Sequence, residues 1–298
     1  MSIKLTGSVM ERRNSTTAEI DRLSTLDMLS VINQEDKRIA DAITPCLDNI
    51  TQLIDNAVAT LSHGGRVVIV GAGASGRNAV IAANEFSPDE KHPVMGLIAG
   101  GALAMLHEMS GAGQDYDRGV LDLQAIGFTQ KDMLVALTVS GKTPWLWGAL
   151  RHAWSLGAMR AVITRNLHSE ATDLADIVIA PQTGAEVVAG YGEPKAMAAQ
   201  KMVLSMLTIG LAIRSGRVYS NMRVDIRDTD TRMAERQIAI VMEAGGCSRA
   251  VAKAALESCD HQCKTAVLMV LTGLDAWKAH ELLAQNNGFV RVALQEAP

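Results

Sequence analysis

The chain contains the stretch Val67-Val68-Ile69-Val70-Gly71-Ala72-Gly73-Ala74-Ser75-Gly76-Arg77, in which an apolar run leads directly into a glycine-rich loop. A second stretch of the same kind runs Leu134-Val135-Ala136-Leu137-Thr138-Val139-Ser140-Gly141-Lys142-Thr143-Pro144. Short apolar runs without polar alternation are typical of strands buried on both faces of a parallel sheet. A glycine loop between such a strand and a helix presents unpaired backbone N–H groups and a positive dipole end. The two stretches predict an anion site, such as one for the phosphate of a small polar ligand.

Three further apolar runs of similar length continue this pattern, at residues 94–99, 160–164 and 176–180. The intervening segments, such as residues 78–86 and 144–156, are long enough for crossover helices. We therefore predict an α/β fold, with a doubly wound parallel sheet flanked by helices over residues 45–215.

Helical patterns lie on both sides of this central domain. The first begins at Thr25, a plausible cap, and a second helix is predicted over residues 37–62, where Gly64 and Gly65 follow. After residue 215, short helices are predicted at residues 225–244, 248–259, 262–271, 274–283 and 290–294. We expect an N-terminal helical arm at residues 1–44 and a C-terminal helical region at residues 216–298, with a small helical unit from about residue 245.

The composition is that of an ordinary globular protein, with 48% hydrophobic and 20% charged residues among 298. A net charge of -4 gives no reason to expect nucleic acid or an acidic membrane surface as a partner. We see no signal-peptide pattern, and the apolar stretch at residues 202–213 is too short to span a bilayer. We expect a cytoplasmic protein with no membrane partner, in which residues 202–213 form a buried helix.

Two other chemistries fit the sequence less well. Gly71, Gly73 and Gly76 match the G-x-G-x-x-G dinucleotide pattern, but residues 97–101 lack the carboxylate that would hold a ribose. A metal site is not expected, because Cys259, His261 and Cys263 have no further ligands nearby. The same residues are expected to be free thiols and an ordinary histidine.

The second loop carries the more specific signal. Thr138, Ser140 and Thr143 supply three hydroxyls around Gly141, which permits close backbone approach, and Lys142 adds a positive charge. The alternative is a strand-to-helix turn in which Thr143 caps a helix that begins at Pro144. The first loop on a neighbouring strand favours phosphate binding.

Both loops resemble those of the sugar-isomerase (SIS) phosphosugar-binding domain, and the similarity extends over nearly the whole chain. Matching blocks resemble the N-acetylmuramic acid 6-phosphate etherase (MurQ) family; they lie at residues 11–14, 20–28, 32–36, 96–101, 184–188, 199–204 and 221–225. The resemblance implies cleavage of the D-lactyl ether of N-acetylmuramic acid 6-phosphate to N-acetylglucosamine 6-phosphate and D-lactate in cell-wall recycling. It implies elimination of lactate followed by addition of water, no metal or organic cofactor, and a homodimer.

The resemblance also implies roles for individual residues. Elimination needs a base and an acid, a task for two carboxyl groups with separated pKa values. Glu85 aligns with one family glutamate, and partial burial near its helix end would raise its pKa; the alternative is a solvated helix-end glutamate. The implied substrate-binding residues are Ser75, Gly76, Thr138, Ser140, Gly141, Lys142, Thr143, Glu186 and Lys195.

The chain departs from the family pattern around the expected second carboxyl. The family has Gly-Ala-Glu-Asp where this chain has Gly111-Ala112-Gly113-Gln114-Asp115, and Gln114 takes up no proton at neutral pH. Asp115 is the candidate replacement. Residues 191–195 retain only the lysine of a Ser-Ser-Arg-x-Lys stretch, and Lys142 replaces an arginine. The alternative functions are a lyase on a related 6-phosphosugar, a non-catalytic phosphosugar sensor, and a phosphosugar isomerase, which the lack of a loop histidine disfavours.

Overall fold

The structure, a computed structural model, describes residues 12–86, 93–227 and 229–297. The chain divides into two compact units, Met1–Ile209 and Gly210–Pro298. The first ten residues of the predicted N-terminal arm, and residue 11 of the first matching block, lie outside the described residues.

A five-stranded parallel sheet forms the centre of the first unit. Its strands are β1 (Val67–Gly71), β2 (Val94–Ile98), β3 (Met133–Leu137), β4 (Met159–Ile163) and β5 (Ile177–Ile179). Their order is β2-β1-β3-β4-β5, with Gly71 paired to Leu137 across the two central strands. All residues of β1 and β3 are buried, as the apolar runs predict. The predicted doubly wound α/β class is confirmed.

Helices connect the strands and border the sheet. They are α1 (Thr25–Ile43), α2 (Leu47–Ser62), α3 (Gly73–Phe86), α4 (Tyr116–Ala125), α5 (Pro144–Ser155), the short α6 (Glu170–Asp173) and α7 (Pro194–Arg214). Trp145, Leu146 and Leu150 of α5 are buried in the same core cluster as Val68 and Leu134. This packing fixes the start of α5 beside the end of β3.

The strand order places the two glycine loops together. From β1 the chain crosses to β2 on one side, and from β3 it crosses to β4 on the other. Such a reversal leaves a crevice at the carboxyl ends of the two central strands, where doubly wound proteins bind ligands. The loop after β1 and the loop after β3 both begin at this crevice.

The N-terminal helices differ from the prediction of a boundary near residue 37. One helix, α1, runs through that position to Ile43, and a short 3-10 turn at Thr44–Cys46 separates it from α2. Pro45 explains the break, because its ring and missing N–H are incompatible with a continuous helix. The cap also differs by one residue: Ser24, rather than Thr25, accepts a hydrogen bond from the Asp27 N–H.

The second unit is helical apart from one small hairpin. The hairpin pairs β6 (Val218–Tyr219) with β7 (Met222–Arg223), and the helices are α8 (Thr231–Gly245), α9 (Arg249–Ser258), α10 (Cys263–Thr272), α11 (Ala276–Gln285) and α12 (Val290–Gln295). The predicted start of α8 at residue 225 is wrong, because Asp230 caps the helix through the Met233 N–H. Gly246 ends α8 in the left-handed conformation, as predicted.

Helix α7 is longer than the apolar stretch within it. It has 21 residues and is long and apolar enough to cross a membrane by length and composition, although 44% of its most apolar window is buried inside the protein. Val203, Leu204, Leu207 and Leu211 are all fully buried. Their burial accounts for the apolar composition of this part of α7.

Candidate functional site

The loop after β1 leads into α3 at the crevice. The first N–H groups of an α-helix have no partner within the helix, so those of Gly73–Ser75 are free to bind an anion. Gly76 permits the tight turn, because a Cβ at this position would lie 2.5 Å from Ile98 Cγ1 and 2.6 Å from the Gly71 carbonyl oxygen. The glycine therefore sets how closely α3 approaches β1 and β2.

The loop after β3 holds its hydroxyls in place through its own backbone. Thr138 Oγ1 accepts from the Gly141 N–H at 3.1 Å, and Ser140 Oγ accepts from the Lys142 N–H at 3.1 Å. Each hydroxyl keeps its own proton to donate. Gly141 has φ +72, and a Cβ there would lie 2.1 Å from Ser169 Oγ, so the turn requires glycine.

Thr143 lies at the cap position of α5, followed by Pro144 at the first helical position. Its side chain nevertheless makes no capping hydrogen bond, and Thr143 Oγ1 lies 3.4 Å from Thr138 Oγ1 instead. The alternative interpretation, in which Thr143 only caps α5, therefore explains where this threonine lies but not why its hydroxyl lies beside that of Thr138.

A cavity of about 130 Å³ lies between the two loops. Four of the predicted binding residues line it together: Ser75, Thr138, Ser140 and Thr143. Glu193, just before α7, lines it as well. Burial raises the pKa of Glu193, and its Oε1 atom is buried without a hydrogen-bond partner among the described residues.

A wider cavity of about 380 Å³ adjoins the first and shares Ala72, Ala74 and Thr143 with it. Its polar lining residues are Arg77, His107, Glu108 and Gln114. Arg77 Nε donates to the Ala104 carbonyl at 3.2 Å, which ties the segment after β2 to α3. The crevice therefore offers an anion-sized recess beside a space of sugar size.

Sequence reasoning did not assign His107, Glu108 or Glu193 to the site. A signal exists for the first two, because they follow β2, whose carboxyl end lies at the same edge of the sheet as that of β1. Glu193 lies about fifty residues after the second loop, and its signal is its place in residues 191–195, which stand where the family has a Ser-Ser-Arg-x-Lys stretch.

Two predicted binding residues occupy a buried ion-pair network outside both cavities. Glu186 is 1% exposed, and its carboxylate caps α7 by accepting from the Lys195 and Ala196 N–H groups. Arg165 Nη1 lies 3.3 Å from Glu186 Oε1. Lys195 is 2% exposed and its Nζ lies 2.7 Å from Glu35 Oε2. Hydrogen bonds and charge from Lys195 hold the pKa of Glu35 at about 2, against the opposing effect of burial.

The predicted catalytic carboxyl groups also lie outside the lining of both cavities. Glu85 is 51% exposed at its side chain, so the expected burial is not observed in this chain, and Lys201 Nζ lies 2.5 Å from its Oε2. Asp115 caps α4 by accepting from the Arg118 N–H at 2.9 Å. Lys142 is exposed beside the loop.

Metal binding has no visible basis in the part of the chain that the structure describes. No three His, Cys, Asp or Glu side chains there come together as a metal site.

The fold and crevice have clear relatives. Residues 49–154 match the family model described as "Glucokinase regulatory protein N-terminal SIS domain". A solved structure of a phosphoheptose isomerase from Francisella tularensis shares the fold with a TM-score of 0.51 and 17% identity, covering 64% of this chain and 100% of that one. These matches, with the crevice, define a protein of the SIS class.

Full-length similarity identifies the family within that class. The chain is 46% identical over 297 residues to the N-acetylmuramic acid 6-phosphate etherase of Klebsiella aerogenes, covering 99% of both chains. It is also 46% identical to the enzyme of that name from Aliivibrio fischeri strain MJ11, over 99% of this chain and 100% of the relative. The chain belongs to the N-acetylmuramic acid 6-phosphate etherase family, as the matching blocks predict.

Proposed function

We propose that the protein cleaves the D-lactyl ether of N-acetylmuramic acid 6-phosphate, a carbon–oxygen lyase reaction that yields N-acetylglucosamine 6-phosphate and D-lactate. The observation that carries the proposal is the pair of cavities at the carboxyl ends of β1 and β3, in a chain that belongs to the etherase family. The small cavity has room for a phosphate and the adjoining one for the sugar.

The phosphate binds in the small cavity between the two loops. Ser75, Ser140 and Thr143 donate their hydroxyl protons to its oxygens, and the first N–H groups of α3 complete the shell. The positive ends of α3 and α5 favour the same negative charge. Because most of these donors are backbone groups or short hydroxyls, the arrangement is selective for a compact anion.

The elimination needs two proton transfers. A base takes the proton next to the sugar aldehyde, and an acid protonates the oxygen of the departing lactate as its bond to the sugar breaks. Water then adds to the sugar product. We assign the acid to Glu85. For the base we compare Asp115, which the sequence suggests, with Glu108, which lines the wider cavity.

The position of Glu85 on α3 favours a ligand held by another protomer. Glu85 lies ten residues beyond Ser75 along α3, or about 15 Å along the helix axis, which is more than a hexose phosphate spans. We therefore propose a homodimer in which Glu85 of one protomer acts on a ligand held by the loops of the other.

D-lactate release from N-acetylmuramic acid 6-phosphate tests the activity. We expect turnover by the wild-type protein and at least a hundredfold loss in Glu85→Gln, in line with removal of a general acid. Glu170→Gln is the matched control, because it breaks another partly exposed ion pair, with Arg151, at a residue that lines neither cavity. The base is the residue whose removal, Asp115→Asn or Glu108→Gln, abolishes turnover while sugar binding persists.

A mixing experiment tests the shared site. Glu85→Gln mixed with a cavity-blocked Ser75→Met protein regains activity if the two protomers complete one site, and stays inactive if each chain works alone. Tight 6-phosphosugar binding without any D-lactate release by the wild-type protein would favour the sensor instead.

A further inference from the structure

Among the residues that the structure describes, the cavity between the two loops has a single ionisable lining residue. Glu193 is the one side chain among its lining residues that can carry a charge; the others are Ala72, Ala74, Ser75, Leu137, Thr138, Val139, Ser140, Thr143 and Met197. A carboxylate at the wall of a cavity of about 130 Å³ would stand close to the charge of any bound phosphate. Two negative charges at such short range repel one another strongly when water is excluded.

Arg165 and Lys195 each donate to another carboxylate, although Arg165 Nη2 is itself buried without a hydrogen-bond partner among the described residues. Glu186 accepts from the first N–H groups of α7 and from Arg165 Nη1, which also donates to the Gly184 carbonyl. Lys195 on α7 is paired with Glu35 of α1. Glu193 Oε1 is left buried and without a hydrogen-bond partner among the described residues.

The charges around Glu193 act in both directions on its pKa. Burial is the largest effect and raises the pKa, the positive charge of Arg165 lowers it, and the negative charge of Glu186 raises it again. A bound phosphate would add a second negative charge and raise it further.

We propose that the cavity binds the phosphate of its ligand together with one proton, which Glu193 takes from solvent and donates in a hydrogen bond to a phosphate oxygen. The proposal rests on the proposed function, in that the ligand is a 6-phosphosugar. The proton converts a repelling carboxylate into a donor, and it gives the unpartnered carboxyl a partner. Ligand affinity then falls as pH rises.

Calorimetric binding of an N-acetylhexosamine 6-sulfate, whose amide and sulfate do not titrate in this range, tests the proton separately from the ligand's own titration. A phosphate ester loses its second proton near pH 6, whereas a sulfate ester stays singly charged throughout. In buffers of different ionisation enthalpy we expect uptake of up to one proton per site. Above the pKa of Glu193 in the free protein, affinity falls by about tenfold per pH unit. Glu193→Gln takes up no proton and binds with an affinity that is constant with pH.

N-Acetylglucosamine 6-phosphate, measured in parallel, is the ligand of the proposed function. Glu170→Gln, with its exposed carboxylate, keeps the wild-type proton uptake as the matched control. Binding by the wild-type protein without proton uptake would overturn the proton proposal and leave the proposed function intact. A loss of binding in folded Glu193→Gln would do the same, because it would indicate an ionised carboxylate that accepts a hydrogen bond from the ligand. If neither ester binds at any pH between 5.5 and about 8.5, the proposed function fails as well. If Glu193→Gln does not fold, proton uptake by the wild-type protein still tests the proposal.

Discussion

Replacing Lys195 with methionine removes the buried cation that pairs with Glu35; a second cation, the exposed Arg38, lies 3.1 Å from Glu35 Oε1 through its Nη1. Glu35 is 5% exposed; its Oε2 accepts from Lys195 Nζ at 2.7 Å and from Asn14 Nδ2 at 2.9 Å, and its Oε1 accepts from Thr16 Oγ1 at 3.1 Å. The network thus joins residues before α1, α1 itself and α7. Without Lys195, the buried carboxylate keeps the neutral donors Asn14 and Thr16 and the exposed Arg38, but it loses its buried cation.

The magnitude follows from the pKa of Glu35, which falls from 4.5 to about 2 in the folded protein. Each unit corresponds to 1.36 kcal/mol, so the network favours the ionised form by about 3 kcal/mol. Breaking a buried pair by removing one partner costs roughly 3–5 kcal/mol. We therefore expect Lys195→Met to lower the free energy of unfolding by about 3–4 kcal/mol at neutral pH.

The pH dependence has a definite sign. Because the folded pKa lies below the ordinary value, the stabilisation is complete above pH 4.5 and is lost as pH falls from 4.5 towards 2. The double variant Glu35→Gln/Lys195→Met lacks the unpaired charge, so it recovers part of the stability and loses this pH dependence.

Urea unfolding followed by tryptophan fluorescence measures the effect in a Trp277→Phe background. The remaining tryptophans, Trp145, Trp147 and Trp154, all lie in α5 of the first unit. Lys201→Met is the matched control, because it breaks the more exposed pair with Glu85 and should cost less than about 1 kcal/mol. An unchanged unfolding free energy in Lys195→Met, together with lost 6-phosphosugar affinity, would refute the structural role and favour the ligand-binding role suggested by the sequence.

Two further substitutions test the loop after β3. Ser140→Ala should weaken 6-phosphosugar binding about tenfold or more in a calorimetric titration, because a hydrogen bond to a charged group is worth roughly 1.5–3 kcal/mol. An unchanged affinity would remove Ser140 from the site. Gly141→Ala should lower the free energy of unfolding of the first unit by about 2–4 kcal/mol, because the new Cβ meets a positive φ and clashes with Ser169. The control Gly64→Ala has a positive φ but open space, so it should cost about 1–2 kcal/mol. Equal losses of unfolding free energy in the two variants would exclude the clash.

Local patterns predict the sheet and its loops well. The five apolar runs coincide with the five strands to within two residues at each end, because a strand buried on both faces needs an uninterrupted apolar run. The helix boundaries are harder to predict. Apolar residues at helical spacing continue across residues 43–47, so periodicity alone hides the break that Pro45 causes.

The candidate site is predictable only where a short segment decides it. Both loops are contiguous, and their strands are neighbours in the sheet, so Ser75 and Thr143 lie at one cavity although 68 residues separate them along the chain. Lys195 pairs with Glu35 across 160 positions. No local pattern encodes that partner, and for this reason the sequence alone does not reveal that Lys195 lies outside the cavity lining.

Binding and chemistry depend on different parts of this crevice. The anion cavity is formed by helix N-termini, glycine turns and short hydroxyls, so most single side-chain changes leave its donors in place. Proton transfer instead depends on individual carboxyl groups at particular positions. Here Gln114 lines the wider cavity, and Glu85 lies some 15 Å beyond Ser75 along α3. On the proposed assignment, a protomer therefore keeps its phosphate site and is still unable to complete the reaction alone. The same reasoning explains the role proposed for Glu193, because a carboxyl that lines the small cavity would let one side chain make phosphate binding depend on pH.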